Sequence, residues 1–203
     1  IAEVPEYPNV FNPDETGLQD VLFMGVHSFG GLGASMKGMA VGRKQGSAQW
    51  HIYEFNNDGL SNGDRARCSG YYTFMPSAGD EESWQFASSC YFNNIFFYAS
   101  GNTVYRLDFK QAGGKATAIY THAGGKAVKM KFAKRYLSSS NAFDAYEFDV
   151  QYSLGIGFDM GNGKGDFVIL NLSSTGSVGG DSEHYPAKQV YTDFGEITDF
   201  VFI

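Results

Sequence analysis

Paired carboxylates are the side chains of this sequence with the clearest potential for chemistry, because glycoside hydrolysis uses two of them roughly 5–10 Å apart. The candidates are Glu54, Asp108, Asp144, Glu147, Asp149, Asp159, Asp166, Asp193 and Asp199. Glu54 and Asp108 occupy equivalent positions of a repeated segment, where Asn171 stands in another copy. A catalytic pair comes from one unusual place rather than from a repeated position, so we expect these three side chains to face water at strand ends. We predict no catalytic residue.

The histidines have no spacing typical of a metal site. They are His27, His51, His122 and His184, and they form no HxH or HExxH pattern. We expect His51 and His122 at solvated strand ends. The oxygen-rich segments 56–64 and 159–166 lack the register of an EF-hand loop and are expected to be ordinary turns. The sequence therefore predicts no metal and no cofactor.

Aromatic rings beside polar inserts are the best candidates for ligand binding. Tyr and Trp combine an apolar face with a polar edge, which suits stacking on a sugar or anchoring a protein partner. We expect most aromatic side chains to pack between strands, but Trp50, Tyr71 and Tyr72 stand next to polar, glycine-rich inserts. These three are the predicted ligand-binding residues.

The composition favours short strands and tight turns. Of the 203 residues, 43% are hydrophobic, 16% aromatic and 18% charged, with 26 Gly but only 5 Pro. Aromatic residues suit a pleated sheet, and glycine supplies the positive φ that turns need. The net charge of −7 argues against binding a nucleic-acid backbone. In the basic run 126–135, basic and apolar residues alternate, which is typical of a strand with one solvent-exposed face. No apolar run approaches the roughly 20 residues of a membrane helix, so no transmembrane segment is predicted.

A repeated strand pattern organises the chain. Strand-like cores at 51–55, 103–109 and 167–172 are each followed by an apolar-Tyr-Thr signature. An apolar strand precedes each core and another follows each signature, so one unit holds four strands joined by turns rich in Gly and Asn. Four-stranded antiparallel units that repeat without intervening helices are typical of a β-propeller.

The predicted fold is therefore all-β, with about three propeller-type four-stranded antiparallel blades. The approximate repeats are 34–82, 83–125 and 126–195, with 196–203 as a closing strand, inside a single all-β domain or domain fragment that covers 1–203. Closed propellers have roughly 4–8 blades, so we expect a larger propeller that an upstream segment or another chain completes. A β-sandwich or jelly roll is the alternative.

The two cysteines, Cys68 and Cys90, leave two states open. A single disulfide in an oxidising compartment fits their number, and so do two reduced, buried thiols. Neither cysteine belongs to a CxxC pattern, which is consistent with the absence of a predicted metal site.

The second half of the sequence resembles a known family. Residues 95–109 combine an aromatic strand, a Ser-Gly-Asn turn and a Val-Tyr-Arg strand. Related strand motifs follow at 118–121, 126–132 and 189–202. This pattern resembles the C-terminal half of the Bacteroidetes PKD-like family of surface lipoproteins. The resemblance implies propeller-like repeats on an outer-membrane surface, held by a lipid anchor in a region outside this chain. The chain, which begins at Ile1, is then expected to be a C-terminal fragment or a processed product.

Three functions are compatible with this sequence. The first is a non-catalytic binding or adhesion module of the cell surface that recognises a glycan or a surface protein. The second is a secreted hydrolase that acts on polysaccharide through a carboxylate pair. The third is a structural part of a larger surface assembly, for which an uncovered edge strand near 196–203 or among the first strands would be the sign, because bare sheet edges invite pairing.

Overall fold

Most of the residues that the computed structural model describes lie in β-strands. The residues that it describes are 18–29, 36–44, 48–56, 67–74, 81–88, 92, 94–109, 115–137, 149–173, 175–179 and 186–202. Within them lie the strands β1 (Leu18–Phe29), β2 (Met36–Lys44), β3 (Trp50–Asn56), β4 (Arg67–Phe74), β5 (Gln85–Ser88), β6 (Ile95–Ser100), β7 (Thr103–Asp108), β8 (Lys115–Thr121), β9 (Lys126–Leu137), β10 (Asp149–Gly161), β11 (Lys164–Leu172) and β12 (Lys188–Gly195), and a short 3₁₀ turn at Glu81–Ser83. None of these elements is a helix long and apolar enough to cross a membrane.

The strands form three four-stranded sheets, β1–β4, β5–β8 and β9–β12. In each sheet the spatial order follows the chain order, so hydrogen-bonded neighbours are also sequence neighbours. The strand pairs of the first and third sheets are antiparallel. The all-β prediction is confirmed. Among the described residues each sheet is open, with two edge strands, and a propeller is not confirmed.

Tight turns join the strands where the sequence predicts them. In the β10–β11 hairpin, Asn162 and Gly163 have φ of 55° and 69°. A two-residue type I′ turn requires such positive φ angles at both of its central residues. The carboxylate of Asp159 accepts a hydrogen bond of 2.8 Å from the N–H of Gly161. The segment 159–166 is therefore a hairpin turn. The other oxygen-rich segment, 56–64, lies outside the described residues beyond Asn56.

The structure adds one strand and lacks another. β1 precedes the first predicted repeat, and its side chains Val21, Leu22 and Met24 are 46%, 41% and 54% exposed. Adjacent residues are exposed on this strand, so it has no alternating apolar pattern that the sequence could reveal. Residues 196–202, expected as part of a closing strand, belong to no strand.

The chain divides into two compact units, of which the first contains β1–β4 together with the described parts of 88–96 and 107–116. Its sheet has a buried centre, where Val41 lies opposite Ile52 and both side chains have no exposed surface. Aromatic rings extend this core. The ring centroid of Phe96 lies 5.9 Å from that of Phe74 and 6.3 Å from that of Phe109. Such tilted pairs suit the quadrupoles of aromatic rings.

The second unit contains residues 80–87, 97–106 and 117–203. One face of its β9–β12 sheet forms an apolar core, and the apolar side chains of β10 and β11 without exposed surface are Leu154, Ile156, Phe158, Val168 and Leu170. These residues alternate along the two strands, as a face with period 2 requires. In the same unit the rings of Tyr98 and Tyr105 stack at 4.9 Å.

Candidate functional site

The predicted ligand-binding residues lie on β3 and β4. Trp50 is only 5% exposed, and the guanidinium carbon of Arg43 lies 4.9 Å from its ring centroid. Tyr72 is half-buried, with its ring 5.3 Å from that of Phe109. Trp50 and Tyr72 share a face of the sheet, since Trp50 pairs with Phe74 two residues beyond Tyr72.

Tyr71 occupies the register position opposite Tyr53, and its side chain lies outside the described residues. The same is true of the Cys68 side chain and of all of Cys90. The ligand-binding role of Trp50, Tyr71 and Tyr72 stays a prediction, with Trp50 and Tyr72 brought to one sheet face.

The expectation that repeated polar positions face water is wrong for two of them. Glu54 is 4% exposed and Asn171 has no exposed surface. The Asn171 amide donates to the Pro186 carbonyl at 2.7 Å, and its oxygen accepts from the Ser153 hydroxyl at 2.8 Å. A buried polar group is stable when it is hydrogen-bonded in this way. Both faces of these strands are covered, so polarity does not report exposure there.

His122, expected at a solvated strand end, is also buried, with 5% exposure. Its Nε2 lies 3.3 Å from a carboxylate oxygen of Asp166, and its Nδ1 lies against the backbone of Gly124. Its ring stacks on Phe158 with centroids 4.4 Å apart. Burial, and secondly the nearby Asp166 carboxylate, raise the pKa of Tyr120. With so little exposed surface, this polar pair joins the end of β8 to β11 rather than presenting groups to a substrate.

An edge strand carries the apolar surface that sequence reasoning missed. On β12, Val190, Tyr191 and Phe194 are 42%, 45% and 48% exposed. Among the described residues, β12 pairs with β11 alone and is the edge of its sheet. The signature Val-Tyr-Thr-Asp-Phe predicts a strand here, but it does not tell whether that strand is central or at the edge. Tyr191 pairs with Phe167 and Val190 pairs with Val168, so these exposed side chains lie on opposite faces of the edge strand.

A groove lies on the face of the third sheet opposite its apolar core, and we call residues 196–202, which lie in it, the strap. The residues that line the groove are Lys129, Lys131, Gly155, Gly157, Gly165 and Phe167. The glycines give the strap its room. A Cβ on Gly155 would lie 2.6 Å from Phe202, and one on Gly157 would lie 2.7 Å from Ile197.

Charge and aromatic contacts complete the groove. The ammonium of Lys131 lies 2.7 Å from the Asp199 carboxylate and donates to the Phe200 carbonyl at 2.5 Å. The hydrogen bond from Lys131, followed by one from the Phe200 N–H, lowers the pKa of Asp199. The Phe200 ring meets Phe167 edge-on at 4.8 Å. The groove therefore holds a non-strand segment that supplies an aliphatic side chain, a carboxylate and aromatic rings.

Among the described residues, no three His, Cys, Asp or Glu side chains are grouped so that they could hold a metal ion. Comparison with family models, with curated proteins and with solved structures gave no match for this chain. A function for the chain therefore has to be inferred from its residues and their geometry.

Proposed function

We propose that this chain is a non-catalytic binding module that recognises another surface protein by accepting an extended segment along β12. The apolar edge carries this proposal, since Val190, Tyr191 and Phe194 are all more than 40% exposed there. An edge strand has backbone donors and acceptors on its free side, and an extended peptide can continue the sheet by pairing with them. Apolar side chains on the same strand add area that such a peptide would bury.

A protein partner fits the exposed rings better than a glycan does. Sugar stacking needs an open aromatic face, and Trp50 at 5% exposure, covered by Arg43, has little face to offer. Tyr191 and Phe194 are both exposed aromatic residues of β12, and the Tyr191 hydroxyl donates a hydrogen bond to Gln189 at 3.1 Å. Glycan recognition by Trp50, Tyr71 and Tyr72 is the competing form of the proposal.

Display of random extended peptides, run in parallel with a glycan array, tests the proposal on the full chain. We expect peptides to be enriched and their binding to be lost in Y191K, which places a charge on the apolar edge. T117K adds the same charge at an exposed position of β8 and is the matched control. Peptide binding that survives Y191K, or binding of glycans alone, would refute recognition along β12.

A second candidate, a structural part of a larger surface assembly, is favoured by β1. This strand pairs with β2 alone among the described residues, and Val21, Leu22 and Met24 are exposed on it. An upstream segment or another chain that pairs with β1 would cover them. Expression with added upstream sequence would then protect the β1 amides from hydrogen exchange, and unchanged exchange would count against this role.

We also propose a surface location and a propeller-type arrangement. The resemblance of 95–109 and 189–202 to PKD-like lipoproteins supports an outer-membrane surface, with the lipid anchor in a region outside this chain. The recurrence of four strands in chain order supports blades, with a sandwich as the alternative. Light scattering separates these arrangements, since a stable particle of 22.2 kDa would favour the sandwich and a particle stable only with upstream residues would favour blades.

A further inference from the structure

We propose that the strap is exchanged between two copies of this chain, so that residues 196–202 of one copy fill the groove of the other. The inference rests on the strap contacts and goes beyond the proposed recognition along β12. It assigns the groove a ligand of defined chemistry, an extended segment with an aliphatic residue, a carboxylate two positions later and aromatic rings further on. The strap itself is a segment with that chemistry, and every copy of the chain carries one.

Side chains, rather than a strand ladder, hold the strap. Residues 196–202 belong to no strand, and the ammonium of Lys131 is the group that reaches the Phe200 carbonyl. Ile197 lies over Gly157 and the Phe200 and Phe202 rings lie over Gly155. The side-chain contacts of the strap can be released without breaking any backbone pair among β9, β10 and β11. A hinge at Asp193 then costs no more than the last two pairs of β12, Gly165 with Phe194 and Lys164 with Gly195.

The chain just before the strap is suited to act as a hinge. Asp193 has φ of 66°, a left-handed conformation that a residue with a Cβ rarely adopts. A register shift between β11 and β12 coincides with it, since Gly165 pairs with Phe194 but Phe167 pairs with Tyr191. Residues 190–196 are all exposed, so a change of direction there displaces few packed side chains. Strain at a hinge favours exchange of the segment that follows it.

A second copy offers an identical groove, which makes exchange an inexpensive route to association. The strap continues directly from β12, so two chains that exchange straps bring their β12 strands near each other. The exposed side chains Val190, Tyr191 and Phe194 would then lie at the junction, and Val201, at 74% exposure, lies on the strap itself. Association would remove this apolar surface from water, which favours the exchanged pair.

Two complementary variants test the exchange. G157V fills the space that Ile197 occupies, because the three atoms nearest to the added Cβ all belong to that strap residue, so this copy keeps its strap and loses its groove. I197D keeps the groove and loses the strap anchor. Valine is also favoured over glycine in a strand, which protects the sheet of G157V. If circular dichroism showed loss of strand signal, G155A would replace it, since the three atoms nearest to its methyl belong to Phe200 and Phe202.

Native mass spectrometry and analytical ultracentrifugation give the readout. We expect each variant alone at the single-chain mass, and their equimolar mixture mainly as a two-chain complex with one copy of each. The wild type should show a two-chain fraction that rises with concentration. A mixture of G179V with I197D is the control, because Gly179 faces open space and its variant keeps both strap and groove. Only a small two-chain fraction is expected from it.

A mixture of G157V and I197D that stays at the single-chain mass would overturn the exchange. A two-chain complex of equal amount in the G179V control would also overturn it, because association would then not need a vacant groove and a free strap. Y191K adds a charge at the junction and is expected to lower the two-chain fraction, so the exchange is judged by G157V, I197D and the G179V control. Peptide binding lost in Y191K, together with a complex of G157V and I197D, leaves both proposals standing. Peptide binding that resists Y191K, together with an intact complex, would refute only recognition along β12.

Discussion

Replacement of Asn171 by alanine tests the buried polar contacts of the third sheet. Asn171 has no exposed surface, and its side chain bonds to the Ser153 hydroxyl and the Pro186 carbonyl. The variant N171A loses both bonds, at about 1 kcal/mol each. It also leaves the buried Ser153 hydroxyl without this acceptor, which adds about 1–2 kcal/mol. We expect the free energy of unfolding to fall by about 2–4 kcal/mol.

Urea unfolding followed by far-UV circular dichroism measures this loss, and a double-mutant cycle with S153A assigns it. Because Ser153 and Asn171 share a hydrogen bond, the double variant should lose about 0.5–2 kcal/mol less than the sum of the single losses. Gln189 is the control, since its bond to Tyr191 is exposed and Q189A should change stability by less than about 0.5 kcal/mol. A loss below about 1 kcal/mol in N171A, or strict additivity, would refute the reasoning.

Three further predictions concern the second unit. Burial, and secondly Tyr105, raise the pKa of Tyr98 from 10.0 to about 12, so the fold loses stability as pH rises from 10 towards 12, and thermal unfolding across that range should show a smaller loss in Y98F. F158A removes a fully buried ring stacked on His122 and should cost about 3–5 kcal/mol by urea unfolding, and a cost under about 1 kcal/mol would contradict the packing. Gly163 has φ of 69°, so G163A should cost about 1 kcal/mol in the same assay, and an equal cost in G179A would rule out turn strain as the cause.

Local chemistry made the strands and hairpins predictable. Asn162 and Gly163 form the left-handed turn that their types favour, and the apolar run of 167–172 lies within β11. The pairing of each strand with its chain neighbour follows from such short turns. These interactions involve only residues that are close in the sequence, and they can therefore be predicted from the sequence alone.

Two features depend instead on residues distant in the sequence: the burial of polar groups, and the failure of the strap to form a strand. Asn171 is buried because Ser153 and Pro186 satisfy its amide, and neither partner can be identified from its own position in the sequence. The β-branched and aromatic residues of Ile-Thr-Asp-Phe-Val-Phe after Glu196 are typical of a strand. The glycines of β10 and β11 leave space for the side chains of this segment, and it lies in that space without a ladder.

The aromatic site shows the same limit. The polar insert beside Trp50 made it a predicted ligand-binding residue, and in the structure the Arg43 guanidinium lies over its ring and itself pairs with Asp20 at 2.6 Å. The exposed rings lie instead on β12, where an open sheet edge decides exposure. Whether a strand lies at the edge or in the centre depends on the whole sheet, and the residues of β12 alone do not predict it.

The chain-ordered sheets have a consequence for synthesis on the ribosome. Each strand needs only the strand just before it, so a four-stranded sheet can assemble as soon as its own residues have emerged. Contacts between residues close in sequence form quickly, because little loop entropy is lost in making them. The strap is synthesised after the sheet that holds it, so the groove is complete before its occupant leaves the ribosome. On a polysome, the first strap to reach a groove can therefore come from a neighbouring nascent chain.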